Sequence, residues 1–121
     1  MKGLIIKKHW LDLVLSGQKP WEIRGSKTSV HGTICLIESG SGLIKGTVEV
    51  NSCIKPLSVE TLKQTRYLHC IDDLSIIKYK TPYAWQMNFP VRFDNPIPYK
   101  HPRGAVIWVN LPDDILEGLK V

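Results

Sequence analysis

Two strand-like runs lie on either side of a Ser-Gly-Ser-Gly segment, and this arrangement limits the choice of fold more than any other part of the chain. The runs are GTICLIES, residues 32–39, and LIKGTVEVNSCI, residues 43–54. In the second run, apolar Ile44 and Val48 alternate with polar residues, as in a strand with one buried face. Two such runs joined by a short glycine turn predict an antiparallel β-hairpin. Gly46 inside the second run indicates a bulge or a close approach of another backbone.

Three helix patterns are distributed irregularly among the strand patterns. KHWLDLVLSG, residues 8–17, has helical periodicity, and Gly17 stands where a left-handed residue would end the helix. LSVETLKQTRYLH, residues 57–69, predicts a second helix with Ser58 as its N-cap. PDDILEGLK, residues 112–120, predicts a terminal helix that begins with a proline and an acidic pair.

Four further runs predict strands, which therefore outnumber the helices. They are GLIIK (3–7), WEIR (21–24), TPYAWQMNFPVRF (81–93) and GAVIWVNL (104–111). Because helices and strands do not alternate regularly, the pattern excludes a regular βαβ nucleotide-binding fold. It predicts an α+β domain with a mainly antiparallel, barrel-like sheet. A length of 121 residues is typical of one domain, so we interpret residues 1–121 as a single unit.

Charge and cysteine content suggest a partner and a compartment. Sixteen Lys and Arg residues against 11 Asp and Glu residues give a net charge of +5, which favours polyanionic partners such as RNA. The three cysteines are odd in number and far apart, which is typical of a reducing compartment. The opening MKGLIIKKHW is a poor signal peptide, and no apolar run approaches the roughly 18 residues that span a bilayer. We expect a cytoplasmic protein without a membrane partner.

The chain has no motif that predicts a metal or a cofactor. Its four histidines and three cysteines lack metal-ligand spacing, and neither a P-loop nor a GxSxG elbow is present. We therefore expect neither group. The segment ESGSG, residues 38–42, could cradle a phosphate through backbone N–H groups, but a hairpin turn is the preferred interpretation.

The tryptophans divide between core and site. Trp85 shares a strand face with Met87, which is typical of core residues. Trp10 and Trp108 are also expected in the core. Trp21 could belong either to the core or to a ligand site, because it stands inside a charged segment.

That charged segment is SGQKPWEIRGSKT, residues 16–28, where two kinds of cation surround an acid. Arg24 offers a planar fork for a phosphate or a base edge, and Glu22 lies on the same strand face and could orient it. Lys19 adds a flexible cation. One interpretation is a surface Glu–Arg pair beside a solvated lysine, worth about 0–1 kcal/mol. The other is a ligand site.

The stretch GQKPWEIR, residues 17–24, resembles the GxKxxExR signature of the ASCH domain family. Three further blocks that resemble the family follow in order: IKGTVEV, YAWQMN and NPIPYKHPRGAVIWVNL. The resemblance covers roughly residues 3–111. It implies a PUA-like β-barrel flanked by helices, with the signature residues in a cleft between the first helix and the barrel, and it favours the ligand site over a surface pair.

The resemblance also implies RNA binding, so we expect RNA, a nucleotide or a modified nucleoside as the partner. Lys19 and Arg24 would make the anion or base contacts, and Glu22 would orient them. The full set of expected ligand-binding residues is Lys19, Trp21, Glu22, Arg24, Lys27, Lys100 and Arg103.

An alternative is a small hydrolase. One branch of the family hydrolyses the amide of acetylated cytidine, and another small ASCH protein resembles a ribonuclease. In the amidohydrolase branch a threonine nucleophile occupies the position of Glu22, and its activating lysine matches Lys19. A glutamate would instead act as a general base on water, with Lys19 or Arg24 stabilising the developing charge. In an enzyme, Lys19 and Glu22 would be the catalytic residues.

Overall fold

The structure is a computed structural model that describes residues 1–54 and 58–117. Its strands are β1 (Lys2–Ile6), β2 (Trp21–Arg24), β3 (Gly32–Glu38), β4 (Leu43–Ile54), β5 (Tyr83–Pro98) and β6 (Trp108–Asn110). Its helices are α1 (Lys8–Leu15), α2 (Val59–Gln64) and α3 (Arg66–His69), and a short 3-10 helix covers Leu74–Ile76.

The strands form one curled, six-stranded half-barrel in the order β2-β5-β4-β3-β1-β6. The β1–β3 pair is parallel, and the other four pairs are antiparallel. The curl brings together strands that are not hydrogen-bonded neighbours, since Trp85 of β5 stacks on Trp108 of β6 with ring centroids 5.8 Å apart. The predicted α+β fold with a mainly antiparallel, barrel-like sheet is therefore confirmed.

The predicted hairpin is formed by β3 and β4, which pair antiparallel from Gly32–Val50 to Glu38–Leu43. The segment between them is a turn, in which the Ser41 hydroxyl donates to the carbonyl of Glu38. Gly46 lies at an irregularity in the β4–β5 pairing, and a Cβ there would collide with the carbonyl of Val91. The expected bulge and close approach at this glycine are both present.

Helix α1 covers the inside of the sheet. Its Leu11, Val14 and Leu15 are buried against apolar residues of the sheet. The helix ends as predicted, because Gly17 takes a left-handed φ of +84° that a residue with a Cβ rarely adopts. Trp85 is buried in the same core, as predicted.

The predicted helix over residues 57–69 is wrong in its continuity, although its N-cap is right. The Ser58 side chain accepts a hydrogen bond from the backbone N–H of Thr61, as expected. The helix breaks at Thr65, whose hydroxyl donates to the carbonyl of Thr61 and whose backbone leaves helical angles, so that α3 starts afresh. Leu57, the predicted first residue, lies outside the described residues.

Two predictions near the C-terminus are wrong. Residues 104–107 are not strand, because Pro102 and Gly104 form a turn and only Trp108–Asn110 pair with β1. Residues 112–117 form short turns closed by i to i+3 hydrogen bonds rather than an α-helix. These turns place Ile115 against the core, so packing overrides helical propensity there. Residues 118–120, the rest of the predicted helix, lie outside the described residues.

Within residues 1–54 and 58–117, no helix is long and apolar enough to cross a membrane.

Candidate functional site

A cavity of about 460 Å³ lies where β2, at one edge of the half-barrel, faces β1 near the other edge. Much of its apolar wall comes from β1 and from the segments after α3 and before β6, and includes Ile5, Ile6, Ile71, Ile76, Ile77 and Val106. Its polar side is formed by Lys7, Lys19, Glu22 and Arg24. The size is in the range of roughly 300–1,000 Å³ that small-molecule sites have.

Glu22 and Arg24 form a tight, largely buried ion pair in this cavity. Arg24 donates from Nε and Nη2 to the same carboxylate oxygen of Glu22, at 3.0 and 2.9 Å. The two residues lie two apart on β2, so their side chains leave the same face of the strand. The carboxylate holds the guanidinium in one orientation, as the sequence predicts.

Arg24 also bridges the two sides of the opening. Its Nη2 donates to the carbonyl of Ile5 at 3.2 Å, just beyond the last β1–β6 pair at Leu4 and Trp108. Its Nη1 has no acceptor among the residues that the structure describes. No buried side-chain nitrogen in that part of the chain lacks a partner, so Nη1 reaches solvent. This nitrogen is therefore available to a ligand.

Lys19 lies beneath the pair with its side chain fully buried. Its Nζ donates to the backbone carbonyl of His69, lies 3.8 Å from the second oxygen of Glu22, and stands 4.8 Å from the ring centroid of Trp10. Burial lowers the pKa of Lys19, and the carboxylate of Glu22 partly opposes that effect. Lys19 thus helps to hold the carboxylate of Glu22 in place from the buried side of the cavity.

His69 is the buried residue that positions Lys19, through its carbonyl. Its Nδ1 accepts from the N–H of Ile71 at 2.9 Å, so its Nε2 carries the proton and donates to the carbonyl of Leu62 at 2.7 Å. Burial lowers the pKa of His69, which keeps the ring neutral beside the Lys19 ammonium.

A second cavity of about 620 Å³ adjoins the first. The loop of residues 25–30 forms one side, and Trp85 and Trp108 form the other. Arg24 and Tyr79 line both cavities.

The seven residues expected to bind ligand have different positions. Lys19, Glu22 and Arg24 come together in the first cavity, and Lys27 is exposed in the wall of the second. Trp21 is partly buried against a small core cluster and lines neither cavity. Lys100 and Arg103 are exposed and are also outside both linings.

Sequence reasoning missed Tyr79 and the apolar wall. Tyr79 stands between Lys78 and Lys80, and a basic–aromatic–basic triplet of this kind is a signal for nucleic-acid contact that could have identified it. Residues such as Ile71 and Val106 carry no local signal, since only the fold brings them to β2. Within the described part of the chain, no group of three or more His, Cys, Asp or Glu side chains is arranged to hold a metal ion.

The sequence model of the ASCH domain family matches residues 4–99, most of the chain. The chain belongs to the ASCH domain family. ASCH domains are PUA-like domains that generally bind nucleic acid, RNA in particular. A sequence search of curated proteins finds no significant match.

Solved structures of an ASCH protein from Zymomonas mobilis, ZmASCH, are similar in fold. The unsubstituted protein is 10% identical, with a TM-score of 0.73 over 98% of this chain and 92% of that chain. A serine-to-alanine variant is 9% identical, with the same TM-score over 98% and 93%. A tyrosine-to-phenylalanine variant is 12% identical, with a TM-score of 0.70 over 98% and 95%. At these identities the likeness concerns the fold alone.

Proposed function

We propose that this ASCH protein binds RNA by taking an unpaired base into the first cavity. The observation that carries the proposal is the accessible Nη1 of Arg24 beside an apolar wall, in a cavity large enough for a nucleoside. Single-stranded RNA is recognised by stacking splayed bases on apolar or aromatic surfaces and by hydrogen bonds to their edges.

The charges of the first cavity suit a negatively charged ligand. Lys7, Lys19 and Arg24 are opposed by Glu22, and Lys7 has no salt-bridge partner among the described residues. Arg24 donates to a base carbonyl or a phosphate, and Lys7 at the rim attracts the RNA backbone. Lys19 acts by holding Glu22, because it is buried below the ligand.

The test compares Arg24→Gln with Arg92→Gln, which removes the same charge from the surface. Binding of a short single-stranded RNA is measured by calorimetry after circular dichroism has verified folding. We expect Arg24→Gln to weaken binding about 10- to 100-fold, as for a lost charged hydrogen bond. Arg92→Gln should change affinity far less. Equal losses in the two variants would contradict a role for the cavity.

Salt dependence provides a second measurement on the wild type. Phosphate contact predicts that log K falls linearly with log salt between roughly 50 and 200 mM. A flat response would contradict phosphate contact as the source of affinity.

A hydrolase acting on a modified nucleoside amide or on RNA is the second candidate. It is favoured by the lowered pKa of Lys19 in a cavity beside Glu22, since perturbed ionisable groups concentrate at active sites. Glu22 would take a proton from water, and Nη1 of Arg24 would stabilise the developing negative charge.

Turnover of acetylated cytidine and of short RNAs, followed by chromatography, tests this candidate. Glu22→Gln should abolish turnover, whereas Asp12→Asn, a surface carboxylate control, should retain it. Turnover that survives Glu22→Gln in a folded protein would remove this site from the mechanism.

A further inference from the structure

We propose that the two cavities form one groove for two consecutive nucleotides of a single RNA strand, with Arg24 at the linking phosphate and Tyr79 as the stacking residue between them. The inference rests on the proposed function, which assigns only the first cavity. Its starting point is the pair of residues, Arg24 and Tyr79, that line both cavities.

The ring of Tyr79 is positioned by its packing against Gly25. A Cβ on Gly25 would lie 2.5 Å from Cδ1 of Tyr79, so the ring packs where that side chain would be. The backbone of Gly25 is not left-handed, so its conformation does not require glycine. Glycine is needed there because the ring of Tyr79 occupies the space that a side chain would take. Tyr79 is still 45% exposed, which leaves ring surface for a base.

The walls of the second cavity suit a sugar and a phosphate. The hydroxyls of Ser26 and Ser29 form no hydrogen bonds within residues 1–54 and 58–117, and both residues are exposed. In the same part of the chain Lys27 has no salt-bridge partner. A ligand that enters here meets hydroxyl groups and a cation beside the aromatic surface of Trp108.

The cations are spread along the groove, an arrangement that suits an RNA strand better than one small anion. Lys7 lines only the first cavity, Lys27 lines only the second, and Arg24 lines both. A dinucleotide presents its linking phosphate between two bases, so a shared guanidinium is the expected partner. Separate cavities of about 460 and 620 Å³ accept splayed single nucleotides, whereas a stacked duplex would not enter them.

The experiment titrates 15N-labelled protein with nucleoside monophosphates and with dinucleotides, and follows the indole N–H signals of Trp10 and Trp108 by NMR. Trp10 lines the first cavity and Trp108 lines the second. We expect a dinucleotide to shift both signals and to bind about 100-fold more tightly than a monophosphate, because its second half binds intramolecularly.

Two results would overturn the inference, and they are distinguishable. If both ligand classes shift only Trp10 with equal affinity, the second cavity is not a subsite, while the proposed function stands. If neither ligand class shifts Trp10 or Trp108, the proposed function falls as well.

Variants test the stacking residue directly. Tyr79→Ala should weaken dinucleotide binding about tenfold, and Tyr79→Phe should retain it, because stacking needs the ring and not the hydroxyl. Gly25→Ala should also weaken binding by displacing the ring. Tyr67→Ala, an exposed tyrosine of α3 outside both cavities, is the matched control. A Tyr79→Ala protein that binds like Tyr67→Ala contradicts the inference.

The cation of the second cavity is tested in the same assay. Lys27→Ala should weaken dinucleotide binding more than monophosphate binding, because Lys27 lines only the second cavity. Lys63→Ala, an exposed lysine of α2 outside both cavities, removes the same charge elsewhere. Equal effects of the two substitutions would mean that Lys27 acts only through net charge, which would count against the second subsite.

Discussion

The molecule contains two groups in which one carboxylate lies between a lysine and an arginine, and they differ in their surroundings. The buried triad is Lys19, Glu22 and Arg24, and the surface triad is Lys8, Asp12 and Arg92. The surface triad has the shorter contacts, with nitrogen–oxygen distances of 2.6 and 2.7 Å against 3.8 and 2.9 Å. Its side chains are at least 38% exposed, whereas those of the buried triad are at most 17% exposed.

The comparison teaches that distance alone does not measure what an ion group does. In the surface triad, water and salt screen each charge and can replace a lost partner. In the buried triad the charges have lost most of their hydration, so each depends on the others and on backbone carbonyls. The surface triad ties α1 to β5, whereas the buried triad keeps a guanidinium oriented in a cavity.

The largest expected difference follows from removing the acid of each triad. Glu22→Gln leaves Lys19 and Arg24 buried without an anion, and we expect a loss of about 3–5 kcal/mol in the free energy of unfolding. Asp12→Asn should cost less than about 1 kcal/mol. Urea unfolding followed by circular dichroism measures both. Similar losses of free energy of unfolding in the two variants would contradict the distinction between the buried and the surface triad.

A smaller effect is expected from the opposite pKa shifts of the two lysines. Burial lowers the pKa of Lys19 below 10.5, whereas the hydrogen bond to Asp12 raises that of Lys8 above it. As pH rises towards 10.5, the unfolded chain holds more protons at Lys19 than the folded one. The contribution of Lys19 to the free energy of unfolding therefore increases with pH, by at most about 1.4 kcal/mol per pH unit. The contribution of Lys8 to the free energy of unfolding is present below pH 10.5 and is lost as the pH rises above that value.

The measurement is the stability of wild type minus that of Lys19→Met, from neutral pH to 10.5. This difference should increase with pH, while the corresponding difference for Lys8→Met should stay level. A Lys19 difference that decreases with pH would mean that its ion pair outweighs its burial.

The smallest expected effect is the response to salt. The Debye length falls to about 3 Å at 1 M, so the cost of Arg92→Met, about 0–1 kcal/mol at low salt, should vanish. The cost of Arg24→Met should persist, because water and ions are excluded from most of its contacts. Urea unfolding at low and high NaCl compares the two. A salt-sensitive Arg24→Met would show that the cavity is wetter than its geometry implies.

Local signals made much of the fold predictable. Alternation and the glycine turn specified the β3–β4 hairpin, and Gly17 and Ser58 marked a helix end and a helix start. The break at Thr65 and the short β6 were not predictable, because the local pattern there continues and packing decides the outcome.

The grouping of three charged residues in the candidate site was also predictable from local signals. Lys19, Glu22 and Arg24 lie within six residues, so a helix end followed by a strand is enough to bring them together. The burial of Lys19 was not foreseen, since it depends on a carbonyl at His69, fifty residues away. Tyr79 carries a local signal in its two flanking lysines, but its packing against Gly25 depends on the fold and could not be predicted.

The hydrogen bond from Arg24 to the carbonyl of Ile5 links the two margins of the half-barrel through the guanidinium. One margin of the sheet contributes the side chain, and the strand beside the opposite margin contributes the oxygen. A molecule that binds Nη1 of Arg24 would contact the same guanidinium that links the two margins of the sheet, so ligand binding and the separation of those margins would be coupled.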